Sequence, residues 1–119
     1  MSLPTFETWT EDLAESELSR VDDIIDQIQN HASKGKPIHA EKIAGVVDLR
    51  EVRVRKVISH LRIGGHPIAS SGKGFFWADI PEDLSLTIQH FQGRISKMSV
   101  VLAGLRRSFP ELEQTKLRL

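Results

Sequence analysis

The chain has no cysteine. That excludes a disulfide framework, a thiolate zinc site and a cysteine nucleophile, and it suits the cytoplasmic setting expected here. No apolar run approaches the ~18 residues of a membrane span. The N-terminus has no basic segment followed by an apolar stretch, so neither a membrane partner nor a secretory leader is expected. Internal repeats and low-complexity segments are also missing. The five histidines, His31, His39, His60, His66 and His90, never fall at the H-x-x-x-H spacing of a helical metal pair, so no metal site is expected. Ser70-Ser71-Gly72-Lys73-Gly74 combines glycine with lysine but lacks the G-x-x-x-x-G-K-[ST] spacing of a phosphate loop, which argues against nucleotide hydrolysis. The chain therefore reads as a non-enzyme, with no catalytic residue, cofactor or small-molecule ligand expected.

What remains is a soluble globular composition, 39% hydrophobic and 27% charged over 119 residues, enough for one modest core plus an extension. The formal net charge is zero, but its distribution is uneven. Residues 1–33 hold one base, Arg20, against eight acids, whereas residues 34–73 hold nine bases against three acids. A basic middle segment is the electrostatic footprint of a phosphate-binding surface. The acidic front is a solvated helix face, which is the simpler reading, or an interaction surface, or a shield for the basic face of a neighbour.

Periodicity divides the chain further. Thr10 with Glu11 and Asp12 suits a helix start. Leu18, Val21, Ile25, Ile28 and Ala32, with Ile24 alongside, mark one amphipathic helix, which Gly35 and Pro37 end. Pro37-Ile38-His39 suits a brief strand. A second helix is predicted over Ala40–Val47 and a third over Arg50–Ile63, the latter stopped by Gly64-Gly65 and His66-Pro67. Ile68-Ala69-Ser70 and Phe75-Phe76-Trp77, around a glycine-rich turn, predict a β-hairpin. Alternate strand residues must cover the helices, so these aromatics are read as core rather than as a base-stacking platform. A long helix then follows Asp79, ending near Ser108 because Pro110 would break it. The expected organisation is an irregular extension at 1–15, a domain at 16–80, a C-terminal helix at 81–109 and a tail at 110–119.

The order helix, short strand, helix, helix, hairpin goes with a particular residue pattern. It comprises Ile43-Ala44, Val47, Leu49, Val54, Ile58-Ser59-His60-Leu61-Arg62, Gly65-His66-Pro67-Ile68 and Gly74-Phe75-Phe76-Trp77. Over about residues 16–80 the chain thereby resembles the winged helix-turn-helix family, in its compact bacterial and phage form. The resemblance implies a mainly α fold with a small β-hairpin, and duplex DNA as the partner. One departure is Arg50 where a small polar cap is usual. Asp48 with Glu51 offers an alternative capping box and an earlier helix start.

The implied DNA contacts are residue-specific. At ~100° per residue, the face opposite Val54, Ile58 and Leu61 carries Val52, Arg55, Lys56 and Ser59, flanked by Arg53 and His60. Arg55 and Lys56 lead as base-edge or phosphate contacts. Lys36 and Lys42 would meet backbone phosphates, and Ser70, Ser71 and Lys73 at the hairpin tip would touch the minor groove or backbone.

The final helix has its own pattern. Leu84, Ile88, Phe91, Ile95, Met98, Leu102 and Leu105 alternate steps of four and three, and Phe109 and Leu112 extend the series. This spacing suits a coiled-coil seam and a homodimer. Packing against the first helix of the same chain is the other option. Gly93 and Gly104 each weaken such a helix by up to ~1 kcal/mol. The whole reads as a dimeric, non-catalytic DNA-binding protein, a regulator of transcription or a phage-type replication or packaging accessory. A winged-helix protein-interaction module and an RNA-binding protein are the alternatives, because fold alone does not decide function.

Overall fold

The computed structural model describes residues 13–115. The expected start at Thr10 and the unassigned Trp9 lie outside the described residues. The protein is mainly helical, with a two-stranded antiparallel hairpin and a long C-terminal helix. It divides into two compact units, meeting between Ser85 and Leu86.

In the first unit, α1 (Glu15–Leu18) is a single turn and α2 spans Val21–Asn30. Ile24 and Ile28 of α2 are fully buried, while Leu18 is exposed. The chain then bends at Gly35 and passes Ile38 into α3 (Ala40–Val47) and α4 (Glu51–Ile63). Ile38 is the brief strand expected there, reduced to one bridge with Phe75. Each residue donates its N–H to the other's carbonyl at 2.8 Å.

The turn between α3 and α4 corrects the expected alternative start. Asp48 sits in the left-handed region at φ 55°, and the Leu49 N–H reaches back to the Ala44 carbonyl at 3.1 Å. This is a Schellman-type ending, with Leu49 partly buried against the core. Asp48 is thus used to stop α3 and does not cap α4. Arg50 is the extended residue ahead of α4, with no side-chain cap bond. The Arg20 Nε donates to the Val47 carbonyl at 2.7 Å, satisfying another orphaned group at the end of α3.

Strands β1 (Ile68–Ser71) and β2 (Gly74–Trp77) pair from Ile68 opposite Trp77 to Ser71 opposite Gly74, leaving Gly72-Lys73 as the turn. Phe75 and Phe76 are buried, as expected of core residues. The core joins Ile24, Ile28, Ile38, Ile43, Val47, Val54, Val57, Ile58, Leu61, Ile68 and Phe75. Side chains from α2, α3 and α4 and from both strands therefore meet in one cluster.

A 3-10 turn, Pro81–Leu84, closes this unit. Asp83 organises it: its Oδ2 accepts the Asp79 N–H at 3.1 Å and the Ile80 N–H at 3.4 Å, and its Oδ1 lies 3.3 Å from the Lys34 Nζ. The Asp79 N–H bond, followed by Lys34 and the Ile80 N–H, holds its carboxyl below its ordinary value against the opposing effect of burial. A depressed carboxyl stabilises the fold above its unfolded pKa, and that contribution disappears as pH falls through the folded one. Thermal melts from pH 6 down to pH 3 are expected to show the melting temperature falling. In Asp83→Asn the fall should be shallower, starting from a value a few degrees lower at pH 6. An unchanged acid slope in Asp83→Asn would contradict this role.

The second unit takes α5 (Ser85–Ser108) from its second residue onward, and α6 (Pro110–Thr115) follows at once. The tail expected from residue 110 is thus helical over its first part. Pro110 ends α5 but opens α6, because the first helical position needs no N–H donor.

Candidate nucleic-acid interface

The basic residues expected to share one face of α4 are divided between two environments. At 100° per residue, Arg55, Ser59 and Val52 fall within one arc, and all three are exposed. Lys56, His60 and Arg53 fall on the adjoining flank, against which α1 packs.

His60 is the clear correction. It is 2% exposed, and its Nδ1–H donates to the Lys56 carbonyl at 2.8 Å. Periodicity leaves it at the edge of the apolar arc, and the fold encloses it there. A residue so enclosed is not a groove contact. Arg53 and Lys56 are partly covered and both approach Glu17, a buried carboxylate of α1. Arg53 Nη1 lies 3.9 Å and Lys56 Nζ 3.8 Å from its two oxygens. Glu17 is the residue that sequence reasoning missed. It sits at the third position of α1, where a capping box has its acid, but Ala14 ahead of it has no side-chain oxygen to complete the motif.

Arg55 is held differently. Its Nη2 is 3.0 Å from Glu51 Oε1, an exposed i,i+4 pair of little energetic weight. Its guanidinium also stands 5.8 Å from the centroid of the Phe75 ring. Arg62, two turns further along α4, stands 5.6 Å from the same ring and donates from Nε to the Ile68 carbonyl at 2.9 Å. Both distances suit cation–π attraction. Phe75 thus seats Arg55 beside the hairpin, two residues from Lys73.

The hairpin tip is solvent-facing at Ser71, Gly72 and Lys73, and the Lys73 N–H donates to Ser71 Oγ at 3.1 Å. Ser70 is half-buried. Lys36 and Lys42 are exposed. The structure brings Arg55 near the hairpin through Phe75 and draws Arg53 and Lys56 toward Glu17.

On α5 the stripe from Ile88 to Leu105 is open. Ile88, Phe91, Ile95, Met98 and Leu105 range from 40% to 71% exposed, and Leu102 is half-buried. Arg94 lies over the Phe91 ring at 5.1 Å to its centroid. Leu84 departs from the expected seam. It belongs to the 3-10 turn and lines a hollow of about 290 Å³ with Pro67, Ala78, Asp79, Ile80 and Pro81.

Among the described residues, no group of three or more histidine, aspartate or glutamate side chains is placed to hold a metal ion, and no helix is long and apolar enough to cross a membrane. Comparison with protein-family models, with curated proteins and with solved structures finds no match.

Proposed function

We propose that this is a winged helix-turn-helix protein that binds duplex DNA, with α4 in the major groove and the hairpin tip on the backbone or minor groove, and that it acts as a non-catalytic dimer. The observation that carries the reading is Arg55. It is an exposed cation on the outer face of α4, seated on Phe75 of the hairpin. An arginine held at the junction of helix and hairpin can address a guanine edge or a phosphate while Lys73 at the hairpin tip meets the backbone. The element order supports the same reading: a bridge at Ile38, then α3, a tight turn, α4 and the hairpin. The exposed apolar stripe on α5 supports a second copy as the partner, which would present two α4 helices to a two-fold site.

Fluorescence anisotropy on a random duplex tests the DNA reading. Binding is expected at micromolar affinity or tighter in low salt, weakening log-linearly with salt. The double variant Arg55→Ala, Lys73→Ala is expected to lose about tenfold in affinity and to flatten the salt slope by about two. No detectable binding at low salt would overturn the reading.

Val52 and Val46 favour a second reading. They are 63% and 56% exposed on α4 and α3, and apolar residues on this surface suit a protein partner. Under that reading duplex binding is absent, and a shared Arg55, Lys73 requirement is not expected.

A further inference from the structure

The flank of α4 that carries Arg53 and Lys56 faces a carboxylate of the same chain. Glu17 is 1% exposed. Its Oε1 accepts the Ala14 N–H at 2.7 Å and lies 3.8 Å from Lys56 Nζ. Its Oε2 lies 3.9 Å from Arg53 Nη1 and accepts no hydrogen bond among the described residues. Burying an ionised carboxylate is costly unless donors or cations face it. One backbone N–H satisfies part of that demand, and the two α4 cations, at 3.8 and 3.9 Å, oppose its charge without hydrogen-bonding to it. The cations themselves are not enclosed: their side chains are 43% and 35% exposed, so Glu17 addresses them from beneath.

A carboxylate and a phosphate compete for the same charged donors. We propose that Glu17 is an intrachain counter-anion, held on α4 where it occupies Arg53 and Lys56 in place of a DNA phosphate, and that it thereby limits DNA affinity. This rests on the DNA-binding reading above and divides the basic residues by role. Arg55 and Lys73 engage the duplex, whereas Arg53 and Lys56 hold the N-terminal turn. The acidic front of the chain then acts on its basic middle through one placed residue, beyond any diffuse field.

The test compares wild type with Glu17→Gln, Glu17→Asp and Glu15→Gln by anisotropy on one random duplex across a salt series. Glutamine retains an oxygen for the Ala14 N–H. Glu15 is exposed on the same turn, so Glu15→Gln removes the same charge without touching the buried contact. Glu17→Gln is expected to bind about five- to tenfold more tightly, with a salt slope steeper by about one to two phosphate equivalents. Glu15→Gln should gain less than about twofold, because Glu15 is exposed to solvent, where a charge acts only weakly on its neighbours. Glu17→Asp keeps the charge but draws the carboxylate back from the cations, and should gain a few-fold. It carries the test if thermal melts show that Glu17→Gln does not fold. Equal gains from Glu15→Gln and Glu17→Gln would reduce the effect to net charge, and weaker binding by Glu17→Gln would make Glu17 a residue that presents the cations. Either result overturns the counter-anion role while leaving DNA binding intact. Absence of binding by all four proteins overturns the DNA reading, and this inference with it.

Discussion

Replacing Gly74 with alanine is expected to lower the stability of the fold by about 3–5 kcal/mol. A Cβ at this position would lie 2.5 Å from both the carbonyl carbon and oxygen of Ile38, and 2.9 Å from the His39 nitrogen. All three are backbone atoms, so no side-chain rotation relieves the clash. Gly74 also has φ of +132°, a region that residues with a Cβ rarely adopt. The structure can relieve both only by opening the Ile38–Phe75 bridge, with its two 2.8 Å hydrogen bonds. That would withdraw Phe75, and with it the seat of Arg55. A domain of this size has only about 5–15 kcal/mol of stability to lose. Urea denaturation measures the effect, and Gly72→Ala is the control. Gly72 has nothing within 4 Å of a built Cβ, so its change should stay within about 1 kcal/mol. If the two variants unfold alike, the close approach at Gly74 is not a constraint.

This glycine also shows where sequence reading reaches its limit. The hairpin was legible because Gly72 and Gly74 punctuate two short apolar runs. That Gly74 must approach Ile38 was not, because the contact joins residues 36 apart and no local pattern records it. Helix α3 was legible end to end, and α4 within one residue, since Pro37 precedes the pair, Gly64-Gly65 follows it and regular apolar steps run between. Those steps identify the side facing the nearest core. They cannot show how far burial extends around the helix, and so His60, at the edge of the arc, reads as outside when it is enclosed. The same limit applies to Arg53 and Lys56. Their charge was readable, but the buried Glu17 opposite them lies more than thirty residues earlier, in a turn without a recognisable cap. Pro110 was correctly read as a stop for α5; that a stop can also serve as the next start depends on the residues after it.

Placing two charges on the open stripe of α5 is expected to weaken self-association by at least about 100-fold, or about 2.7 kcal/mol. The variant is Ile95→Glu with Met98→Glu. These residues are 63% and 71% exposed in the single chain, and glutamate is a good helix former. Helix content by circular dichroism should therefore stay unchanged, which separates lost association from lost folding. A helix of 24 residues extends about 36 Å, and its stripe covers ~100° of the surface over the whole Ile88–Leu105 span. Such a continuous apolar patch is unfavourable in water unless covered. A second copy would cover it with the same 3-4 spacing, each apolar side chain fitting between four of the facing helix. Arg94, lying over Phe91, can remain at the seam's edge with its charge in water. Light scattering should give a dimer mass for wild type at tens of micromolar and a monomer mass for the variant. A monomeric wild type at that concentration would overturn the dimer. Dimer loss should also reach DNA. Affinity for a two-fold site is expected to fall about 100-fold or more, since the second half-site would no longer be engaged at a high effective concentration. Affinity for an isolated half-site should change little, because Arg55 and Lys73 belong to the first unit. If both sites weaken equally, the stripe supports the domain itself and does not couple two copies of it.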